Sequence, residues 1–226
     1  MNKLEAYTAQ LLDLKHSLAA PLFSKFNYPW EVLPHIKGFI ASLSEELPAS
    51  EYEEVEEGVF VHISARIFPT AYIDGPCIIG PRTEIRHCAF LRGSAIIGAD
   101  CVVGNSTELK NVILFDHVQV PHYNYVGDSI LGYYAHMGAG SITSNVKSDK
   151  ALVKVHFEDG DMETGLKKFG AVIGDHVEVG CGSVLNPGSV IGRNSNIYPL
   201  SSVRKAVSAS SIYKSSSEIA RKEGVV

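Results

Sequence analysis

Aliphatic residues recur at every sixth position along most of this chain. The pattern runs unbroken from Val61 to Leu109, shifts by one residue twice, and resumes after a gap at Ile173. The residue two positions before each aliphatic one is nearly always small, and glycine often follows it. The twenty aliphatic positions are Val61, Ile67, Ile73, Ile79, Ile85, Leu91, Ile97, Val103, Leu109, Leu114, Val120, Val126, Leu131, Met137, Ile173, Val179, Leu185, Ile191, Ile197 and Val203.

A period of six fits neither an α-helix nor a strand with one buried face. It fits short strands joined by tight corners and wound into a solenoid, with the large aliphatic side chain inside and glycine at corners that need a positive φ. Because three strands complete one coil, the twenty hexads predict six to seven coils. The predicted fold class is therefore mainly β, a parallel β-helix.

Both flanks of the repeat depart from this period. Residues 3–19 and 29–47 carry apolar residues at helical spacing, which predicts two amphipathic helices that cover the open end of the solenoid. The acidic run 51–57 predicts a solvated connector. Residues 209–223 are compatible with a short C-terminal helix.

One internal segment, residues 145–169, interrupts the repeat and predicts a protruding hairpin. Such an insertion either contributes to the functional site or covers an interface, and the sequence does not distinguish the two roles. The predicted organisation is a helical segment at 1–58, a β-helix at 59–207 and a tail at 208–226.

Composition and charge narrow the classes of function. The chain has 226 residues, a formal net charge of −5 and no face rich in Lys and Arg, which argues against nucleic-acid binding. No apolar run is long enough to span a membrane, and the N-terminus lacks the apolar core of a secretory signal. The four cysteines form no CxxC pair, which is typical of small buried residues in a reducing compartment. These features predict a cytoplasmic protein without nucleic-acid or membrane partners.

Polar residues that can carry chemistry concentrate in the middle coils, where the six-residue phase shifts. A β-helix is only a scaffold, so its function has to be argued from such a cluster. The cluster comprises Arg92, Asn105, Glu108, Lys110, His117, His122, Tyr125, Asp128, His136 and Asn145.

Three linked motifs in this region resemble a known family. They are GNSTELKN at 104–111, PHYNYVGDSILG at 121–132 and MGAGSITSN at 137–145. They are similar to the acetyltransferase half of the bifunctional N-acetylglucosamine-1-phosphate uridyltransferases. The resemblance implies a left-handed parallel β-helix and a homotrimer with shared sites. It also implies acetyl transfer from acetyl-CoA to an amino-sugar 1-phosphate, with glucosamine 1-phosphate as the expected acceptor, for nucleotide-sugar synthesis and without a metal.

The same resemblance implies roles for individual residues. His122 matches the catalytic base. The residues implied at the sugar phosphate are Arg92, Lys110, Tyr125 and His136, and those implied at acetyl-CoA are Ala139, Asn145 and Cys181. The chain departs from the family by having His136 in place of Asn, Val146 in place of Tyr and Cys181 in place of Ser. These departures bear on the exact substrate more than on the reaction type.

The implied reaction agrees with elementary chemistry. An amino sugar arrives largely as an ammonium ion, and a neutral histidine can accept its proton near pH 7. The freed amine attacks the thioester carbonyl, and backbone N–H groups at residues 137–140 are candidates for stabilising the oxyanion. Arg offers a forked grip on phosphate and Lys a point charge. Because a solenoid face is flat, a ligand as large as acetyl-CoA needs a cleft between subunits.

Two other functions remain open on the sequence alone. A metal-dependent hydratase similar to the γ-class carbonic anhydrases would use His117 and His122, with His87 as a third imidazole ligand. A non-catalytic or regulatory protein would explain the altered acyl-CoA positions. Uridylyl transfer is not expected, because residues 1–58 contain no glycine-rich loop.

Overall fold

The computed structural model describes residues 1–222 and has the expected architecture, a left-handed parallel β-helix with few helices. Its short strands stack into three faces around a narrow apolar interior. The first face contains Val59–His62, Cys77–Ile79, Ala95–Ile97, the second half of Glu108–Leu114, the second half of Tyr125–Leu131, Ala171–Ile173 and Ser189–Ile191.

The other two faces follow in the same order around each coil. The second face contains Arg66–Ile67, Glu84–Ile85, Val102–Asn105, Gln119–His122, His136–Met137, Glu178–Val179, Asn196–Ile197 and Ser211–Ser215. The third face contains Tyr72–Asp74, Phe90–Arg92, the first halves of Glu108–Leu114 and Tyr125–Leu131, Ile142–Thr143, Val184–Leu185 and Ser202–Val203.

The solenoid has seven complete coils and begins an eighth, slightly more than the repeat predicts. Three positions without the hexad spacing account for the difference. Thr143 takes the inward place in one coil, where its buried hydroxyl accepts a hydrogen bond from the N–H of Gly127 at 3.0 Å. Val207 and Tyr213, both buried, line the last coil.

The glycines that follow the aliphatic residues permit close stacking of the coils. A Cβ at Gly98 would lie 2.7 Å from the backbone nitrogen of Asp116, and one at Gly104 would lie 1.6 Å from the carbonyl oxygen of Pro121. Most positive φ angles of the corners fall on residues with side chains, such as Asp100 (φ 56°), and the others on different glycines, such as Gly140 (φ 69°). The expectation that these glycines supply the positive φ is therefore wrong.

Residues 3–19 do not form the single helix predicted. The segment and the turn after it consist of the short helical turns Leu4–Ala6, Thr8–Leu11, Leu14–His16 and Ala20–Phe23. The chain is drawn out along the solenoid, where the carbonyl of Leu11 accepts from the N–H of Asp175 and that of His16 from the N–H of Asp116. Because these carbonyls bond to the coil corners, they cannot complete a continuous helix.

The second predicted helix, at 29–47, exists but does not lie where it was expected. It comprises the 3-10 helix Pro29–His35 and the α-helix Ile36–Ser44, which pack against the strands of the first face and not over the open end. The outward residues of that face are aliphatic and fully buried, namely Ile78, Ile96, Ile113, Ile130, Val172 and Val190. Their burial explains why the N-terminal segment lies along the side of the solenoid.

The predicted hairpin forms, with strands Lys154–Phe157 and Gly160–Glu163. It folds back onto the chain and does not protrude. Val155 is fully buried, and the ring centroid of Phe157 lies 6.5 Å from that of Trp30. The same tryptophan stacks on Phe169 at 5.7 Å. The hairpin thus completes the cover of the first face.

At each end of the solenoid, one of the three faces is closed by an antiparallel strand, which corrects two expectations. Tyr52–Glu56, predicted as a solvated connector, pairs with Val59–His62. Glu218–Arg221 pairs with Ser211–Ser215, so the helix predicted at 209–223 is wrong; its last residue lies outside the described residues. The reversed strands satisfy backbone groups that an open edge leaves unpaired.

The four cysteines are free thiols. Burial raises the pKa of Cys77 and of Cys101 to about 12, so both are small interior residues as predicted. Cys88 and Cys181 are exposed, which corrects that interpretation for these two. Across residues 1–222, no helix has the length and apolar character that crossing a membrane requires.

Candidate active site

Three of the predicted site residues, His122, Ala139 and Cys181, lie on the edge between the second and third faces. The N–H of Gly140 donates to the carbonyl of His122 at 3.0 Å, and the N–H of Gly182 donates to that of Ala139 at 2.8 Å. Successive coils therefore place the three residues in one exposed column, about 4.8 Å apart from coil to coil. This column is the His122 edge.

The imidazole of His122 is uncommitted. The other eight of the nine histidines each have a side-chain hydrogen bond, an ion-pair contact or a stacked ring within the described chain. Among residues 1–222, the His122 side chain has none of these, and only its backbone is bonded. An exposed imidazole without a partner is available to accept a proton from a ligand.

Backbone bonding in the turn around Ala139 limits which N–H groups can stabilise an oxyanion. The N–H of Gly138 donates to Val179 at 2.7 Å, and that of Gly140 donates to His122. Within the described residues, the N–H of Ala139 has no acceptor. Of the turn N–H groups at 138–140, that of Ala139, one coil from His122, is the group that remains.

The predicted cations lie on the opposite edge, between the third and first faces. Arg92 Nη1 lies 2.7 Å from Glu108 Oε1, and Lys110 Nζ lies 3.0 Å from Asp128 Oδ1. The side-chain amide of Asn145 donates to the other oxygen of Asp128. Arg92, Lys110, Asp128 and Asn145 form the cation edge, and Glu108 reaches Arg92 from the third face. Lys110, which the resemblance implies at the sugar phosphate, and Asn145, which it implies at acetyl-CoA, therefore bind the same carboxylate.

Asp128 is the buried centre of the cation edge, and its role was not evident from the sequence. Its side chain is 4% exposed and accepts hydrogen bonds from Lys110, Asn111 and Asn145. The signal lay in the phase shifts: Asn111 and Asp128 occupy the shifted corners with φ values of 55° and 46°. Asn and Asp are the side-chain-bearing types that best tolerate this region.

Tyr125 lies on the third face between the two edges. Burial, and then the charge of Asp128, raise the pKa of Tyr125, so the phenol stays protonated at neutral pH. A Cβ at Gly127 would lie 2.5 Å from the Tyr125 hydroxyl oxygen. Glycine at this position therefore leaves room for the ring to lie along the strand.

The third face keeps the two edges apart. Tyr125 pairs in register with Glu108 of the preceding coil. His122 lies three residues before Tyr125 in its coil, and Lys110 lies two residues after Glu108 in the other coil. The separation along the coil is roughly 15 Å. The described chain thus groups His122 with Ala139 and Cys181, and Arg92 with Lys110 and Asn145, without enclosing both groups in one pocket.

His136 lies on the second face, away from the predicted phosphate ligands. Its Nδ1 is 2.6 Å from Glu178 Oε2. Together with Cys181 and Tyr198 it lines a hollow of about 350 Å³ beside the His122 edge. The structure therefore brings His136 to Cys181 and not to Arg92 or Lys110.

The three histidines of the hydratase alternative are not brought together within the chain. His117 lies on the edge between the first and second faces, where it stacks on Tyr134 at 4.4 Å. His87 lies on the His122 edge and is hydrogen-bonded to Thr70 at 3.0 Å. No group of three His, Cys, Asp or Glu side chains in residues 1–222 is arranged to hold a metal ion.

Two family models match the chain. Residues 73–179 match the GMPPB C-terminal domain, and residues 170–205 match the bacterial transferase hexapeptide with six repeats. Together the two matches cover most of the solenoid.

Two of the curated relatives are archaeal proteins. A bifunctional protein GlmU of Methanococcus vannielii is 32% identical over 203 residues, which is 86% of this chain and 47% of the relative. A bifunctional sugar-1-phosphate nucleotidylyltransferase/acetyltransferase of Sulfurisphaera tokodaii is 30% identical over 189 residues, 82% of this chain and 47% of the relative. The chain spans about half the length of these relatives.

Solved structures with a related fold include a hexapeptide transferase family protein from Anaplasma phagocytophilum. Its TM-score is 0.41 at 18% identity, over 74% of this chain and 82% of that one. AntD, an N-acyltransferase from Bacillus cereus, has a TM-score of 0.39 at 19% identity, over 78% and 85% of the two chains. The hexad repeat, the parallel solenoid and the sequence matches agree with the family resemblance of the three motifs. This chain therefore carries a hexapeptide transferase domain.

Proposed function

We propose that this chain transfers an acetyl group from acetyl-CoA to the amine of an amino-sugar 1-phosphate. The observation that carries the proposal is the His122 edge, where an unpartnered imidazole stands one coil from the N–H of Ala139. A general base beside an oxyanion donor is what acyl transfer to an amine requires. The printed name of the Sulfurisphaera tokodaii relative, which includes acetyltransferase and sugar-1-phosphate, supports the same reaction class.

In the proposed reaction, the imidazole of His122 removes a proton from the sugar ammonium. The freed nitrogen forms a bond to the thioester carbonyl carbon, and the N–H of Ala139 binds the oxyanion that develops. The carbon–sulfur bond then breaks, and the CoA thiolate leaves with the proton of the imidazolium. The amide nitrogen loses its second proton through the regenerated imidazole to solvent, so a neutral amide and the free thiol are the products. No covalent intermediate on the protein is needed.

The cation edge is proposed to bind the phosphate. The Arg92–Glu108 pair is exposed at the surface, so a phosphate can displace Glu108 at little cost. Lys110 is held by the buried Asp128 and keeps a fixed position while its remaining N–H donors point elsewhere. Arg92 therefore exchanges Glu108 for the phosphate, whereas Lys110 keeps its partner and donates a further hydrogen bond to the phosphate.

A hollow of about 340 Å³ beside Asn145 suits the phosphates of CoA. Ser144 and Val146, which flank Asn145, line it together with Lys147, Lys154, His156 and Arg204. Within the described chain, no carboxylate contributes to its lining. Lys147, Lys154 and His156 are each paired with a carboxylate outside the lining, namely Asp149, Glu163 and Asp161. Because these pairs are exposed, a phosphate can displace the carboxylates at little cost and take their charge-assisted hydrogen bonds.

We further propose a homotrimer in which neighbouring chains share each site. The third face is flat and exposes Tyr72 and Phe90, and the two candidate edges lie on either side of it. A groove between two chains would bring the His122 edge of one against the cation edge of the next. Cyclic closure of such a contact gives a ring with equivalent sites.

The proposal is tested by release of free thiol from acetyl-CoA with a panel of acceptors. Glucosamine 1-phosphate is expected to react fastest, and glucosamine without phosphate much more slowly because it lacks the ligand of the cation edge. A nucleotide-linked amino sugar is the third arm. Thiol release that no acceptor raises above the background hydrolysis rate would contradict the proposed function.

A further inference from the structure

Asn124 departs from the hexad pattern two residues after His122. Across the coils, the same interior column of the third face holds Ala71, Ala89, Thr107, Asn124, Ser141, Ser183 and Ser201. Asn124 is the one amide in this series, and it is 2% exposed. A buried amide costs free energy unless its polar atoms are hydrogen-bonded, so its partners indicate why it is tolerated.

The partners of Asn124 belong to two neighbouring turns of the candidate site. Its Oδ1 accepts a hydrogen bond from the N–H of His122 at 3.1 Å. Its Nδ2 donates to the carbonyls of Gly138 at 2.9 Å and Ser141 at 3.1 Å. One side chain therefore ties the turn of His122 to the turn that contains Ala139.

We infer that Asn124 is a positioning residue that fixes the separation between the imidazole of His122 and the N–H of Ala139. The inference rests on the proposed function, which gives these two groups their roles. The residues on both sides of Ala139 are tied to the turn of His122: Gly138 through Asn124, and Gly140 through the carbonyl of His122. Reacting groups misplaced by about 1 Å can cost about a hundredfold in rate, so this link bears on turnover.

The test compares Asn124→Thr with a control variant of similar burial. Threonine already stands in the preceding coil, but its single hydroxyl cannot replace two N–H donors and an acceptor. Asn124→Ser is a second variant, since serine occupies the next three places of the column. The control is Thr83→Val, because Thr83 is fully buried on the second face and its hydroxyl bonds Gly98 and Cys101.

The expected result is a fall in kcat of about tenfold to a hundredfold for both Asn124 variants. The KM for acetyl-CoA and the KM for the amino-sugar phosphate should each stay within about threefold of the value for the unaltered protein. Thr83→Val should lower the melting temperature by a comparable amount and leave kcat unchanged. If Asn124 acts through His122, adding Asn124→Thr to His122→Ala should cause no further loss. Unchanged kcat, or losses that multiply in the double variant, would overturn the inference.

Hydrogen exchange provides a readout that does not depend on activity. Asn124→Thr should speed exchange at the amides of His122 and Gly140, whereas Thr83→Val should not. If the unaltered protein transfers no acetyl group to any acceptor, the proposed function fails, and the exchange result still decides whether Asn124 couples the two turns. Unchanged exchange at both amides would disprove the coupling.

Discussion

At the scale of single residues, the polar groups of the candidate site differ in how firmly they are held. The His122 imidazole is free of partners within the described chain, whereas Lys110, Asn111 and Asn145 converge on one buried carboxylate. A group that must exchange protons benefits from freedom, and a group that must orient a ligand benefits from fixed partners. This difference leads to separate predictions for the two edges.

Replacing His122 with Ala should lower kcat by roughly 10² to 10⁴, the usual contribution of a general base. The melting temperature should stay within a few degrees, because the side chain is exposed and has no side-chain hydrogen bond or ion pair in the described chain. His176→Ala is the matched control, since His176 is also exposed but lies on another edge. Near-normal turnover in folded His122→Ala protein would remove His122 from the mechanism.

Replacing Asp128 with Asn should lower the free energy of unfolding by about 1–3 kcal/mol, the range for losing hydrogen bonds to a charged group. It should also raise the KM for the sugar phosphate, because Lys110 loses the partner that orients it. Urea unfolding and initial rates measure the two effects. Glu108→Gln is the control for stability: its ion pair with Arg92 is exposed and should contribute below about 1 kcal/mol.

At the scale of strands and corners, the spacing between coils depends on glycine. Replacing Gly104 with Ala should lower the free energy of unfolding by about 3 kcal/mol, the upper end of the usual cost of overpacking, because the new Cβ would overlap the carbonyl of Pro121 in the next coil. The control is Gly38→Ala on the exposed side of the helix Ile36–Ser44, where a Cβ meets no atom within 4 Å. That change should stabilise the protein by up to about 1 kcal/mol. Chemical denaturation distinguishes the two outcomes.

Replacing Trp30 with Ala should lower the free energy of unfolding by about 3–5 kcal/mol, the usual cost of truncating a large buried aromatic residue. Trp30 is 2% exposed and lies between Phe157 of the hairpin and Phe169. The hairpin should therefore exchange its amide hydrogens faster in the variant, while the coils of residues 77–103 keep their protection. Uniform exchange throughout the chain would show that the hairpin is not held by this contact.

The elements that could be predicted are those whose signal is local. Each six-residue unit contains its own buried aliphatic residue, so the spacing of these residues directly predicts the coils. The N-terminal segment could not be placed this way, because apolar spacing does not reveal that Leu11 and His16 bond to coil corners through their carbonyls. The end strands were also missed, since Tyr52–Glu56 becomes a strand only by pairing with the edge of the solenoid.

The sequence predicted which residues belong to the candidate site, but not which of them contact each other. The motifs singled out His122, Lys110 and Asn145, but the contacts of Asp128 join residues separated by a whole coil in sequence. The same holds for Asn124, whose partner Ser141 lies in the next coil. Such contacts follow from the number of residues in each coil, and the phase shifts change that number at these corners.

At the scale of the whole molecule, mixed assemblies test the shared site. His122→Ala and Asn145→Ala chains should each be inactive as separate proteins, because each lacks one edge of the proposed groove. When the two are mixed and allowed to exchange subunits, some interfaces receive an intact edge from each chain, and activity should return. Light scattering should give the mass of three chains.

The recovered activity cannot exceed the fraction of interfaces that combine two intact edges. If each chain forms its whole site by itself, the mixture should stay inactive even after labelled subunits show that the two variants have exchanged. That result would contradict the shared site. A single-chain mass at micromolar concentration would also contradict the shared site.

The closed ends have a consequence for the behaviour of the protein at high concentration. Parallel coils repeat the backbone spacing of cross-β filaments, so an open coil would offer a template to another chain. Tyr52–Glu56 and Glu218–Arg221 run against the direction of the coils they cover, and Glu53, Glu54 and Glu56 add negative charge at one end. A reversed, charged strand cannot seed another parallel coil. At each end, the face that carries the reversed strand is therefore blocked against extension by a further parallel coil, while the lateral faces stay available for contacts.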